Sequence, residues 1–143
     1  MTSPSRQELI RVYRLLFTSA LRAVQYSKPA RYVCRDRIRD AFRNSPAEAF
    51  DPNKVDRTLA FLHNAAKHKG LEHRIVKNLV FVWWEQAKLM RRPYRKDVSP
   101  LRKTVYDGFG STVARLNESM GMCIYYGTHY IALQSWNGRE LYD

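Results

Sequence analysis

Cysteine and glycine are both scarce, with two and six copies in 143 residues, and each shortage excludes something. Cys34 and Cys123 are too few for a disulfide framework and form no CxxC pair, which fits a reducing compartment. The chain holds no GxSxG elbow, no GxxxxGK loop, no GxGxxG turn and no HExxH helix. The usual hydrolase, nucleotide-binding and zinc-protease signatures are therefore missing. Acid is the next deficit: 13 Asp and Glu stand against 25 Lys and Arg, giving +12 at pH 7. That excess favours an acidic partner. Long apolar runs are also lacking. The best, Asn78 to Trp84, falls far short of the roughly 18 residues that cross a bilayer, so no transmembrane segment is expected. Between Met1 and Arg22 the apolar residues are interrupted by Arg6, Glu8, Arg11 and Arg14, which disfavours a secretory signal. The same stretch is amphipathic and rich in arginine, a composition shared by mitochondrial addresses and structural helices.

What the chain does contain is 45% hydrophobic and 13% aromatic residues, enough for one substantial core. Apolar residues recur at three- and four-residue steps, the helical period. A first helix over 4–26 follows from Leu9, Tyr13, Phe17 or Leu16, Ala20 and Val24, with Ser3 or Ser5 as its cap. A second, 29–44, carries Val33 or Cys34, Ile38, Ala41 and Phe42 and stops at Asn44-Ser45-Pro46. Asp51-Pro52 opens a third, whose buried line is read as Val55, Leu59, Leu62 and Ala66, with Gly70 as C-terminal cap. From Leu71 the period resumes through Ile75, Leu79 and Val82 or Trp83. Ser99-Pro100 starts another helix through Leu101, Val105, Phe109, Val113, Leu116 and Met120. The aromatic tail from Cys123 to Asp143 has no helical period and reads as extended or irregular. The fold class is thus all-α. Residues 1–84 form a helical bundle, and 85–143 supply a basic linker, an additional helix and the tail, packed on the bundle or on a partner.

Few residues favour catalysis. His63, His68 and His73 are five apart, which places neighbours about 140° apart around a helix, so no metal site is expected. Asp36 and Asp40 share a face, but Arg39 and Arg43 follow at three-residue spacing, and surface pairing explains them better than acid–base chemistry. Cys34 lies on an apolar line and reads as a small core residue rather than a nucleophile. The positive charge is better organised. Arg31, Arg35, Arg39 and Arg43 recur every fourth residue, forming a stripe that is either a solvated face or a docking face for carboxylates or phosphates. A second group, Arg91, Arg92, Arg95, Lys96, Arg102 and Lys103, surrounds Pro93-Tyr94 and reads as a phosphate-contacting segment or a solvated linker. Trp83 and Trp84 are adjacent and cannot share a helical face, so one is assigned to the core and the other to an exposed contact.

The tripeptide Val12-Tyr13-Arg14, followed by Leu15-Leu16 and then by Arg37-Ile38-Arg39-Asp40-Ala41-Phe42-Arg43 and a polar stop at Asn44, resembles the LYR-motif family of small basic mitochondrial proteins. The resemblance covers about residues 6–80, and Val12 stands where the family has the leucine that names the motif. It implies an antiparallel three-helix bundle, extended here by further helices and the irregular aromatic tail. It also implies binding of the mitochondrial acyl carrier protein, whose acyl-phosphopantetheine inserts between the helices while basic residues meet its acidic surface. By this resemblance Tyr13 and Arg14 belong to the motif, Arg39 pairs with the carrier and Phe42 packs in the bundle. Spacing adds Arg11, Arg35 and Arg43 as carrier contacts, and Leu16, Phe17, Ile38, Leu59 and Leu62 as candidates to line the acyl chain. No cofactor of the chain's own is expected.

Arg37 to Arg43 is similar to the desulfurase-binding LYR subunit of iron–sulfur assembly. Leu59-Ala60-Phe61-Leu62, a later glycine and Ile75-Val76-Lys77-Asn78-Leu79 look more like members associated with mitochondrial ribosome assembly, and like a fungal LYR-like family. The second basic cluster tilts the expectation toward the ribosome. The resulting reading is a non-enzymatic adapter of the mitochondrial matrix that docks acylated carrier on the mitochondrial ribosome, with ribosomal proteins and rRNA as further partners. The alternatives are a LYR-type subunit or assembly factor of a respiratory complex or of iron–sulfur assembly, and a plain RNA-binding protein.

Overall fold

The computed structural model describes residues 3–91, 101, 104 and 106–125. Its helices are α1 (Arg6–Ala23), α2 (Ala30–Asn44), α3 (Pro52–Lys67), α4 (Leu71–Arg91) and α5 (Asp107–Met120), with a short 3-10 turn at Ala47–Ala49. No strand occurs among the described residues, and the all-α fold expected from periodicity is the one formed.

Two helix starts obey their capping residues. The Ser5 hydroxyl accepts a hydrogen bond from the Glu8 N–H at 3.2 Å. The Asp51 carboxylate accepts one from the Asn53 N–H at 2.9 Å, with Pro52 in the first turn. Each bond satisfies a backbone donor that the helix itself leaves unpaired. The ends are less legible. α1 closes through Gln25 and Tyr26, both in left-handed backbone at φ 55 and 54. There the Tyr26 N–H reaches the Leu21 carbonyl and the Gln25 N–H reaches that of Arg22, a paired closure that usually recruits glycine. Gly70 does not cap α3, contrary to the sequence reading. α3 stops at Lys67 with His68 as its cap, and the Gly70 carbonyl instead accepts the Arg74 N–H, opening α4. The left-handed glycine cap is at Gly121, φ 62, after α5. A methyl group there would meet both the left-handed backbone and the Arg57 side chain.

α1 packs on α2 and α3, and α4 packs on the same two helices, so four helices close a ring in the order α1, α2, α4, α3. α4 is thus a wall of the bundle rather than an appendage to three helices. The core gathers Ala20 and Ala23 of α1, Cys34 of α2, Phe61 and Ala65 of α3, and Val76, Leu79, Val80 and Trp83 of α4. Small residues let the backbones approach, and the Phe61 and Trp83 rings fill the space between them. Val113 of α5 and Met122 just beyond it belong to the same cluster. α4 runs unbroken across positions 84 and 85, and Gln86 is buried beyond them. Among the described residues no helix is long and apolar enough to cross a membrane.

The buried line of α3 differs from the expected one. It is Val55, Thr58, Phe61 and Ala65, while Leu59, Leu62 and Ala66 are half-buried. The reason is a polar residue facing inward. Thr58 donates its hydroxyl hydrogen to the Lys54 carbonyl at 2.8 Å and accepts from the Cys123 N–H at 3.0 Å, so its burial leaves no unmet hydrogen bond. The segment after α5 therefore lies across α3. Asn117 fixes that segment from the other side, donating to the Ile124 carbonyl at 2.8 Å and accepting from its N–H at 2.9 Å. In α5 Val113 is buried, with Phe109 and Leu116 packed beside the core, as the period predicts. Met120 is exposed, and so is Leu101. Val105 and the Ser99-Pro100 start lie outside the described residues, as does the tail beyond Tyr125.

Candidate functional site

The N-terminal half of α1 buries nothing completely: the buried residues of that helix are Ala20 and Ala23, near its other end. Leu9, Val12, Tyr13, Leu16 and Phe17 are all half-buried. Tyr13 meets Phe42 of α2 edge to face, with centroids 5.2 Å apart, and stacks on Phe17 at 6.0 Å. Such pairs contribute about 0.5–1.5 kcal/mol beyond their buried area. Three of the sequence-selected residues are thus brought into one aromatic contact between α1 and α2.

Arg11 does not flank that contact: it lies about 160° around α1 from Tyr13, and Arg14 about 100°. At about 100° per residue, Arg11 and Arg14 lie on the side of α1 opposite Ala20. There, with Gln7, Ile10 and Leu15, they form an open, shallow surface of that one helix. Ile10 and Leu15 are 42% and 44% exposed, so apolar surface is presented to water between guanidinium groups. On α2 the arginine stripe divides in two. Arg31 donates to the Tyr32 hydroxyl at 2.9 Å, and both Arg31 and Arg35 lie over the Tyr32 ring, at 4.8 and 5.3 Å. Arg35 also pairs with Asp36 at 3.0 Å. Neither pairing expected from spacing forms: the adjacent Arg35 guanidinium takes the Asp36 carboxylate, and Asp40 makes no ion pair with Arg43. Exposed pairs gain at most about 1 kcal/mol, so local geometry decides between them. Arg39 and Arg43 are exposed and have no ion pair among the described residues. They flank Phe42 in sequence, as Arg14 adjoins Tyr13.

The residues selected for an acyl chain separate into two groups. Ile38 and Leu62 pack against the core cluster, whereas Leu16, Phe17 and Leu59 are half-buried outside it. Of the second basic group, Arg92, Arg95, Lys96, Arg102 and Lys103 lie outside the described residues, and Arg91 ends α4. Trp83 is the core tryptophan, and Trp84 is the partly exposed one, with the Lys88 ammonium 3.3 Å from its ring centroid.

Sequence reasoning passed over Arg37. Its guanidinium turns from the stripe toward α4, donating to Gln86 Oε1 at 3.1 Å and lying 5.3 Å from the Trp83 ring centroid. Burial lowers its pKa, opposed by the negative charge of Asp40 and by Tyr125 and Asp36. Trp83 Nε1 beside it is buried without a hydrogen-bond partner among the described residues. A signal was available: Arg37 stands three residues after Cys34 and four before Ala41, on the apolar side of α2.

Cys34 sits in the core, where burial pushes its thiol up to about 12. Raising the folded pKa favours the neutral thiol, so this contribution to stability is complete below the unfolded value and is lost as pH rises toward 12. Cys123 is exposed. In the native chain at about pH 8, iodoacetamide should modify Cys123 and spare Cys34, and intact-mass measurement should show one adduct, rising to two in denaturant. Two adducts on the native chain would contradict the packing of α2.

No family model and no solved structure matches the chain. Among curated proteins it is similar to a UPF0593 mitochondrial protein of Schizosaccharomyces pombe, at 36% identity over 62 residues. The match covers 43% of this chain and 50% of the relative, so the chain spans about half the relative's length.

Proposed function

We propose that the protein is a non-enzymatic mitochondrial adapter, working in the matrix, that binds acylated acyl carrier protein across the α1/α2 seam and docks it on the mitochondrial ribosome. The observation that carries this reading is the Tyr13–Phe42 contact flanked in sequence by Arg14, Arg39 and Arg43. These are the residues on which the LYR-motif resemblance rests. The word mitochondrial in the name of the fungal relative supports the compartment.

The mechanism follows from the half-open end of the bundle. An acyl chain entering beside Leu16, Phe17 and Phe42 covers apolar surface that the chain alone leaves half-exposed, and each buried methylene contributes about 0.8 kcal/mol. Binding only to the folded state stabilises the bundle by mass action. Arg14, Arg39 and Arg43 meet acidic side chains of the carrier, speeding encounter and fixing orientation, while Arg35 reaches it only by releasing Asp36 and Arg11, on the far side of α1 from Tyr13, stays outside the seam. The carrier supplies the acyl-phosphopantetheine, and the adapter performs no bond chemistry. Docking on the ribosome falls to the basic run Arg91 to Lys103, which supplies charge for rRNA phosphates.

Affinity purification from mitochondria followed by mass spectrometry tests the reading. An acidic partner bearing an acyl-phosphopantetheine mass, together with ribosomal proteins, is the expected outcome. Salt-sensitive RNA without any carrier would replace it with the RNA-binding reading, and a cysteine desulfurase in place of ribosomal proteins would move the adapter to iron–sulfur assembly.

A further inference from the structure

The outward side of α4 lies opposite its core residues Val76, Leu79, Val80 and Trp83. At helical spacing it carries Arg74, Lys77, Phe81, Trp84 and Lys88. Phe81 is 58% exposed, a large apolar ring facing water in the middle of a four-turn stretch of cations. Trp84, one turn on, is half-buried, and the Lys88 ammonium stands over its ring at 3.3 Å. Arg74 and Lys77 are exposed, with no ion pair among the described residues, and the one carboxylate on this side, Glu85, pairs with Lys88 at 3.4 Å. From Arg74 to Lys88 the face runs about 21 Å at 1.5 Å per residue. At Arg91 the helix leads into the basic run Arg91-Arg92 and Arg95-Lys96.

We infer that this face of α4 is a binding surface for single-stranded RNA. Two requirements of such a surface coincide here: cations that follow the phosphates, and adjacent aromatic rings on which unpaired bases stack. Acidic side chains of a protein would engage the cations but leave the rings without a role. Duplex RNA offers phosphates without open base faces. Single-stranded RNA uses both, and Lys88 exchanges its contact with Trp84 for a phosphate as a base moves onto the ring. The surface is separate from the α1/α2 seam and does not depend on the carrier reading.

Fluorescence anisotropy with a labelled 12-nucleotide oligouridylate and the full-length chain tests this, with a duplex RNA and a labelled glutamate-rich peptide as comparison probes. The Phe81→Ala and Trp84→Ala double variant should bind the single strand about tenfold more weakly, with an unchanged salt slope, since stacking carries no counterion release. Because Trp84 is partly buried, Phe81→Ala alone, at an exposed position, serves as the second variant. It should cost roughly fivefold with an unchanged melting temperature. Lys77→Glu with Lys88→Glu should weaken binding and flatten the dependence on salt. Wild-type affinity in both ring variants, or equal binding of the duplex or the acidic peptide, would overturn the inference. Carrier recovery by the Phe81→Ala chain separates the two surfaces: loss of stacking with carrier retained is expected here, and absence of carrier from the wild type would count against the proposed adapter alone.

Discussion

Phe61→Ala is expected to lower the unfolding free energy by about 3–5 kcal/mol, the cost of lost transfer energy plus the cavity left in a close-packed core. Phe61 is 4% exposed at the centre of α3 and packs within the cluster that joins α1, α3 and α4. A domain of this size has about 5–15 kcal/mol in total, so the variant gives up about a fifth or more of its stability. At about 3 °C per kcal/mol, the melting temperature falls by roughly 10–15 °C. The informative comparison is Leu59→Ala. Leu59 is half-buried, and removing it should cost only about 1 kcal/mol. Hydrophobic periodicity alone ranks the two the other way. Thermal melts in which Leu59→Ala is the more damaging would show that α3 is rotated from the orientation described.

The second large effect concerns the seam. Arg39→Glu should reduce carrier binding by about thirtyfold or more, the scale of an interface hot spot of 2 kcal/mol. Its side chain is exposed and has no ion pair among the described residues, so the melting temperature of the free chain should not move. Phe42→Ala should also lose the carrier, and it should soften the bundle as well, because the Tyr13 contact goes with it. Arg35→Glu provides the contrast: its guanidinium is already held by Asp36 and Tyr32, so reversing it should weaken the carrier less than Arg39→Glu. Pull-downs read all three, and undiminished carrier recovery from both Arg39→Glu and Phe42→Ala would remove the seam from the account.

The helices themselves were legible because their signals are local. Ser5 and Asp51-Pro52 begin helices where capping chemistry says they should, and Cys34, Ala20 and Leu79 are buried on the lines their spacing draws. Two of the failures share a cause: a polar group satisfied by distant chain. Thr58 is buried because Cys123, 65 residues away, donates to it, and no hydrophobic pattern registers that bond. Arg37 faces inward because Gln86, 49 residues on, accepts from it and Trp83 covers it. Gly70 failed as a cap for a different reason: a glycine's position in sequence does not report its φ, and the left-handed cap is Gly121, to which the spacing assigned no role. In the candidate site, the spacing of Tyr13 and Phe42 from their neighbours put them on facing sides of α1 and α2, and they touch. The arginine stripe, uniform in sequence, is divided in space by Tyr32 and Asp36, which occupy its first half and leave Arg39 and Arg43 available.

In the proposed adapter an acyl chain completes the half-open end of this bundle. Thermal unfolding of the chain with acylated carrier protein, and with the same carrier lacking its acyl group, tests it most directly. At a hundredfold excess over the dissociation constant, the acylated carrier should add about 2.7 kcal/mol to the stability of the chain, and the unacylated carrier much less at equal concentration. Identical unfolding curves with the two carriers would contradict the claim.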